Sequence, residues 1–278
     1  MIECKVEQAG RLKEFTDNHC AQASFFFARL LKNKDVKVNG KKVATDVWLE
    51  KGDVVSYYLT AKQEAMAAFY PVYEDEKVCV VDKESGVNSE AVYAALLRTG
   101  EYYFVHRLDR NTKGLLIFAK TPSVERELLD AFRAHAINKT YYAVCVGVPV
   151  QERAMLTAYL KKDGERAQVR VFDAPSIGAE TIVTEYCTIE AKDGFSKLKI
   201  RLHTGKTHQI RAHMAHLGCP VLGDMKYGNT AKNKECGAAR QYLVAKHLAF
   251  HFTGELSYLN ERAFSSRFDV EIPSKTLD

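Results

Sequence analysis

The sequence predicts an α+β fold in which a mixed, largely antiparallel sheet is flanked by helices. After residue 62, segments with the apolar alternation of strands outnumber segments with helical periodicity, and a helix lies between only some of them. The predicted strands are 78–83, 114–119, 140–147, 166–172, 181–190 and 197–203. The predicted helices are 89–98 and 122–135.

A separate small α/β unit is predicted at the N-terminus. Residues 24–34 have helical spacing, and the valines that follow alternate around the turn Asn39-Gly40, as in a tight hairpin. A second turn at 51–53 leads into another strand. The polar stretch after it is interpreted as a linker, so the predicted domains are 1–62 and 63–278.

Composition limits the class of protein. The chain has 278 residues, of which 46% are hydrophobic, and 40 Lys and Arg against 35 Asp and Glu give a formal charge of +5. This charge permits a polyanionic partner. Seven cysteines at irregular spacings, with no C-x-x-C pair, indicate reduced thiols. Neither a signal-peptide core nor an apolar run of 18 residues is found, so we expect a cytoplasmic protein without membrane contact.

The stretch VHRLDRNTKGLLIFAK, residues 105–120, surrounds one carboxylate with basic groups. Asp109 lies among His106, Arg107 and Arg110, directly before an apolar strand. One interpretation is an ordinary solvated loop. The other is that nearby cations keep Asp109 ionised, as a carboxylate must be to attack carbon or to support a developing positive charge.

A second basic stretch runs from Lys197 to His213 and contains no acidic residue. It has the pattern of a strand end, a Thr-Gly turn and a helix whose first turn offers backbone N–H groups to an anion. Thr204 could instead be a simple N-terminal cap of that helix.

The histidines of this stretch raise the question of a metal. No adjacent carboxylate or cysteine completes a known ligand spacing with His208 and His213, so no metal is predicted. His213 and His216 are interpreted as packing or surface residues. Arg211 is suited to two-pronged pairing with a carboxylate, and Asp109 is the candidate partner.

Several motifs together resemble one known family. HRLDRNTKGLLIFAK, KTYYAVCVG and LHTGKTHQIRAHMAHLGCPVLGDMKYG are similar to the three hallmark stretches of RluA-type pseudouridine synthases, in the same order. With VYEDEKVCVVDKESG and LVAKHLAFHFTGEL, the resemblance covers nearly all of residues 70–255. The segment before residue 60 resembles the small RNA-binding module found in a ribosomal protein and in many RNA-modifying enzymes.

The resemblance implies isomerisation of uridine to pseudouridine within RNA, without a cofactor. Asp109 matches the essential carboxylate of the family, which either adds to C1′ or assists departure of the base through a glycal-like species. Arg211 would pair with Asp109. Tyr141, in a K-x-Y motif with Lys139, would stack on the detached uracil and support proton transfer at C5.

The expected substrate is ribosomal RNA or tRNA, bound by a monomer. Because a stacked uridine cannot reach an enclosed pocket, it must be flipped out, and Arg107 would fill the space that it leaves. The predicted substrate-binding residues are His106, Arg107, Lys139, Thr204, His208 and Gln209. The predicted ligands of RNA phosphates are Lys32, Lys34, Lys37, Lys41, Lys42 and Lys206.

Other interpretations remain open from the residues alone. The lysines of residues 32–42 could form a merely solvated hairpin, and Tyr141 could be an ordinary strand aromatic. The whole chain could be a ribosome-associated RNA-binding protein without activity. A nucleoside hydrolase would break the same bond, but glycoside hydrolysis usually needs two close carboxyl groups, and Asp224 is interpreted as a turn residue.

Overall fold

The computed structural model describes residues 1–163 and 168–274. The chain divides into two units. The first holds Met1–Arg110 and Leu116–Glu125, and the second holds Asn111–Leu115 and the described residues from Arg126 onwards. This division does not follow residue 62, and the domain boundary placed there stays a prediction.

The N-terminal part of the first unit has its own sheet and core. Four antiparallel strands are ordered β1-β6-β3-β4, and β2 pairs with β5. The elements are β1 (Ile2–Lys5), β2 (Gly10–Arg11), α1 (Leu12–His19), α2 (Ala21–Asn33), β3 (Val36–Val38), β4 (Lys41–Val43), β5 (Trp48–Leu49) and β6 (Val54–Tyr57). Phe27 and Leu30 of α2 are buried against Tyr57 in a cluster drawn entirely from this segment. The predicted hairpin is confirmed, since Val36 pairs with Val43.

The rest of the first unit includes the loop of Asp109, which lies between β9 and β10 in the chain. Its elements are α3 (Ala61–Glu64), β7 (Phe69–Glu74), β8 (Val78–Lys83), α4 (Ser89–Leu96), β9 (Tyr103–Phe104) and the second half of β10 (Lys113–Ala119). The expected linker contains the short helix α3. The Thr60 hydroxyl accepts the Gln63 N–H in a capping box, which stabilises the start of this helix. Phe104 and Phe118 face each other across β9 and β10 and pack against Tyr93 of α4.

The second unit is a mixed, largely antiparallel sheet with helices. Its strands are ordered β13-β12-β14-β15-β11-β16 with antiparallel neighbours, and the start of β10 joins β16 in parallel. The elements are α5 (Pro122–Arg133, which begins in the first unit), β11 (Ile137–Val146), β12 (Arg153–Asp163), β13 (Gln168–Phe172), β14 (Glu180–Lys192), β15 (Phe195–Leu202), α6 (Gln209–His216), α7 (Thr230–Glu235), β16 (Leu243–Phe250), a 3₁₀ turn (Ser257–Leu259) and β17 (Ala263–Ser265).

The predicted α+β fold class is confirmed, but several strands of the described residues after 62 were not predicted. These strands are β7, β9, β12, β16 and β17. In β12 the small and aliphatic residues Ala158 and Leu160 face inward, but Met155 and Tyr159 place further apolar groups on the other face, which hides the alternation. The first two residues of the predicted strand 166–172 lie outside the described residues.

Within residues 1–163 and 168–274, no helix has both the length and the apolar character needed to cross a membrane. The cytoplasmic location and the monomeric state stay predictions.

Candidate active site

In the first unit, the loop that carries Asp109 is fixed at the residues on both sides of it. The Ser89 hydroxyl at the start of α4 accepts the Leu108 N–H at 2.9 Å and donates to the Leu108 carbonyl at 3.1 Å. On the other side, the Arg110 carbonyl accepts a hydrogen bond from the Gly86 N–H at 2.8 Å and another from Lys83 Nζ at 3.1 Å. The backbone on both sides of Asp109 is therefore held by hydrogen bonds from other residues of the first unit.

Lys83 is the innermost of these supports. Its side chain is fully buried, and Nζ also donates to the carbonyls of Glu84 and Val87. Burial lowers its pKa to about 7, although the negative charges of Asp109 and Glu84 act in the opposite direction. Gly86 closes the turn with φ of +88°, a conformation that side chains other than glycine rarely adopt.

The two predicted substrate-binding residues of this loop differ in exposure. His106 Nε2 accepts the Ile117 N–H of β10 at 3.1 Å, so this nitrogen carries no proton and the ring helps to attach the loop to the strand. Arg107 is 65% exposed, and its Nη1 lies 2.8 Å from Glu90 Oε1. Both roles in substrate binding stay predictions.

In the second unit, a β-bulge lies at Tyr141. The register between β11 and β16 shifts between Thr140 and Tyr141, and Tyr141 is buried. Bulges often redirect a side chain beside a functional site. Two residues earlier, Lys139 Nζ lies over the Phe132 ring, and it lies 3.4 Å from the position that a Gly205 Cβ would occupy. Burial lowers the pKa of Lys139.

The turn between β15 and α6 is stabilised by an internal polar network. Gln209 Oε1 accepts from the Thr204 hydroxyl at 2.8 Å and from the Lys206 N–H at 3.0 Å, while its Nε2 donates to the Val183 carbonyl and the Thr184 hydroxyl. The N-cap of α6 is His208, with φ of 55°, so the alternative that Thr204 caps this helix is wrong. Lys206 forms a surface ion pair with Glu180.

Arg211 forms a buried, two-pronged ion pair with Asp224. Nε and Nη2 lie 2.6 and 3.1 Å from the two carboxylate oxygens, and both residues are almost fully buried. Burial raises the pKa of Asp224, but the hydrogen bonds and the charge of Arg211 outweigh this effect and leave it below its usual value. Asp224 Oδ1 also accepts the N–H groups of Lys226 and Tyr227, which confirms its prediction as a turn residue.

Other residues of α6 and its N-cap contact neighbouring side chains. His208 Nδ1 lies 2.9 Å from the Tyr227 hydroxyl, and the Arg211 guanidinium lies over the Tyr227 ring. His213 bonds to the Thr184 hydroxyl, and burial lowers its pKa to about 4, which confirms it as a neutral packing residue near pH 7. Among the described residues, no group of three or more His, Cys, Asp or Glu could hold a metal ion.

Comparison with known proteins identifies the family. The sequence profile of the family described as RNA pseudouridylate synthase matches residues 77–216. The chain belongs to the RNA pseudouridylate synthase family. The matched range contains Asp109, Tyr141 and Arg211, whereas Asp224 and the N-terminal residues lie outside it.

Individual relatives of this pseudouridine synthase agree. It is 27% identical over 231 residues to ribosomal large subunit pseudouridine synthase C of Rickettsia felis, covering 72% of this chain and 75% of the relative. It is 32% identical over 193 residues to ribosomal large subunit pseudouridine synthase D of Pseudomonas aeruginosa, covering 61% and 59%. A human structure, RNA pseudouridylate synthase domain containing 1, shares the fold with a TM-score of 0.56 and 23% identity, covering 66% of this chain and 79% of that one.

Three contributors to the site were missed by sequence reasoning. Ser89 and Lys83 support the Asp109 loop, and Asp224 is the partner of Arg211 in the second unit. Lys83 was visible only within the stretch VYEDEKVCVVDKESG, and Ser89 gave no signal beyond starting a predicted helix. The pairing of Arg211 with Asp109, and the other assigned roles of predicted site residues, stay predictions.

Proposed function

We propose that this pseudouridine synthase converts one or more uridines of ribosomal RNA to pseudouridine, with Asp109 as the essential carboxylate. The observation that carries the proposal is the loop in which Leu108 and Arg110 are anchored through their backbones while Asp109, between them, carries the carboxylate of the H-R-L-D motif. The names of the Rickettsia and Pseudomonas relatives favour ribosomal RNA as substrate.

The reaction needs no external reactant. The N1–C1′ bond of uridine breaks, the uracil turns, and C5 bonds to C1′; C5 then loses its proton and N1 gains one, so atoms and electrons balance. An ionised Asp109 can add to C1′ or support the positive charge that develops on the sugar as the base departs. Tyr141, a buried aromatic at a bulge, is proposed to stack on the detached base.

Arg107 is proposed to fill the space of the flipped nucleotide. Its guanidinium is largely exposed and is paired with Glu90. Because an exposed ion pair is worth at most about 1 kcal/mol, RNA can displace Glu90 at small cost. Arginine also stacks on exposed bases, which suits this position.

The lysines of α2 and the β3–β4 hairpin are proposed to bind RNA phosphates. Lys32, Lys34, Lys41 and Lys42 are exposed, while Lys37 lies over the Tyr58 ring. Changing the four exposed lysines to Gln should raise the KM for RNA. It should also reduce the slope of log affinity against log salt by about 0.7 to 0.9 for each phosphate group that the variant no longer binds. The measurement is RNA affinity and KM at several salt concentrations.

A matched variant controls for net charge. Changing Lys161, Lys162, Lys192 and Lys234 to Gln removes the same charge from exposed positions elsewhere. We expect a smaller change in slope for this control. Equal slopes for the two variants would mean that the α2–hairpin lysines act only through total charge.

Pseudouridine mapping tests the proposed substrate. Ribosomal RNA and tRNA from cells with the gene deleted, and from the same cells complemented with wild-type or Asp109→Asn protein, would be mapped at single-nucleotide resolution. We expect at least one ribosomal RNA position to lose pseudouridine on deletion and to regain it only with the wild-type protein. Loss confined to tRNA would overturn the ribosomal substrate. Unchanged maps, or release of free uracil by the purified protein, would overturn the proposed activity.

A further inference from the structure

We propose that Asp17, in the first helix of the N-terminal segment, is a positioning residue for the Asp109 loop, acting through Arg110. The N-terminal segment, residues 1–62, would then orient the reactive carboxylate in addition to binding RNA. This inference rests on the proposed role of Asp109, but it concerns a residue outside the range that matches the family profile.

The interaction between α1 and the loop is a charged hydrogen bond. Arg110 Nη1 lies 2.6 Å from Asp17 Oδ1, and the two side chains are 33% and 14% exposed. Arg110 Nη2 also lies 3.4 Å from the Ser24 carbonyl, at the weak end of hydrogen-bond range. Partial burial and a defined partner geometry distinguish this pair from a freely solvated surface ion pair.

Asp17 is itself held in place within the N-terminal segment. The Ser24 hydroxyl donates to Asp17 Oδ1 at 2.7 Å, and Lys13 Nζ bonds to Oδ2. Burial raises the pKa of Asp17, but the hydrogen bonds from Arg110, Lys13 and Ser24 outweigh this effect and leave it below its usual value. The carboxylate therefore stays charged at neutral pH and remains a fixed acceptor for Arg110.

Two further interactions join the N-terminal segment to the same region. Asn88, directly before α4, donates to Asn18 at 2.9 Å. Two ring carbons of Phe25 lie 3.7 Å from the position that a Gly86 Cβ would occupy, and the Gly86 N–H is one of the donors to the Arg110 carbonyl. The N-terminal segment thus touches both the side chain of Arg110 and the turn that holds its backbone.

The physical consequence concerns the residue next to Asp109. In the Asp17→Asn variant, the Arg110 side chain loses its charged partner in α1 and can adopt other conformations. Arg110 directly follows the reactive carboxylate in the chain. A released guanidinium can compete for Asp109, and a displacement of about 1 Å in a reactive group can cost roughly 100-fold in rate. We therefore expect the chemical step to slow while RNA affinity changes little.

The test compares, in the full-length protein, single-turnover rates at saturating enzyme and KM values for RNA from multiple-turnover assays. Asp17→Asn should reduce the rate at least about tenfold and change the KM for RNA less than about threefold. The matched control is Glu14→Gln, which removes the same charge from a position nearly one turn earlier in α1. Glu14→Gln should leave both constants within about twofold of wild type.

A double-mutant cycle with Arg110→Gln separates positioning from general destabilisation. If Asp17 acts through Arg110, the double variant is no slower than Arg110→Gln alone, whereas independent effects would multiply. Asp17→Glu, which keeps the charge, should recover part of the rate. Thermal unfolding of every variant fixes an assay temperature at which all are folded.

Each outcome decides the inference. A rate for Asp17→Asn within about twofold of Glu14→Gln, or multiplicative effects in the cycle, would overturn it. If Asp17→Asn unfolds below the assay temperature, Arg110→Gln alone must slow the chemical step with little change in KM, and a wild-type rate would refute the inference. Activity of Asp109→Asn would instead refute the proposed function, so the two failures are distinguishable.

Discussion

The Asp109→Asn variant should lose pseudouridine formation by more than about 1,000-fold and should retain the affinity for RNA of the wild-type protein. Asparagine has nearly the shape of aspartate but cannot form a bond to C1′ as a carboxylate does, nor stabilise positive charge on the sugar. The measurement is release of tritium from RNA labelled at C5 of uridine, together with the dissociation constant for the same RNA.

The structure indicates that this variant should keep the backbone of the loop in place. The hydrogen bonds of Ser89, Lys83 and Gly86 that hold the loop go to the backbones of Leu108 and Arg110, so none of them requires the Asp109 side chain. Asp130→Asn is a suitable control, because this carboxylate is 73% exposed on α5 and pairs at the surface with Arg133. Turnover by Asp109→Asn near that of the control would refute the essential role of Asp109.

Replacing Asp224 with alanine should destabilise the fold by about 3 to 5 kcal/mol. The change leaves the buried guanidinium of Arg211 without its carboxylate, and an uncompensated buried charge is far more costly than a broken surface pair. Asp224 also caps the turn that follows it, which adds to the destabilisation. Urea unfolding at pH 7 gives the free energy of unfolding for both proteins.

The pH dependence of this effect has a defined sign. The native pKa of Asp224 lies below its usual value, so the ion pair stabilises the fold fully above the unfolded pKa of about 4 and loses this contribution as the pH falls further. The stability difference between wild type and Asp224→Ala should therefore shrink in acid. Asp173→Ala, at a carboxylate that is 90% exposed, should change stability by less than about 0.5 kcal/mol. A comparable destabilisation in both variants would contradict the importance of burial.

Local sequence signals were sufficient for much of the fold. Helix α2, the hairpin at Asn39-Gly40 and strand β8 were predicted because apolar periodicity and turn residues act over a few positions. The basic stretch was also predicted correctly as a strand end, a turn and helix α6. Strand β12 was not, because apolar groups on both of its faces remove the periodic signal.

The partners within the candidate site could not be predicted in the same way. Arg211 was recognised as a residue suited to binding a carboxylate, yet nothing local identified Asp224 as a partner. Asp17 and Arg110 are far apart in the chain. Nothing in the sequence around Phe25 indicates that its ring packs near Gly86. Such pairings depend on tertiary packing, for which single-sequence patterns contain no direct signal.

The ion pair between Asp17 and Arg110 places a constraint on how the sequence can diverge. Asp17 lies before the matched family range, which begins at residue 77, and Arg110 lies inside it. A relative with a different N-terminal segment could therefore lack Asp17 and still carry Arg110. An arginine inherited alone would lose the Asp17 carboxylate and could pair with the neighbouring Asp109 instead. Selection should therefore couple these two positions, and homologues with a different N-terminal segment should carry a residue at position 110 that needs no acidic partner.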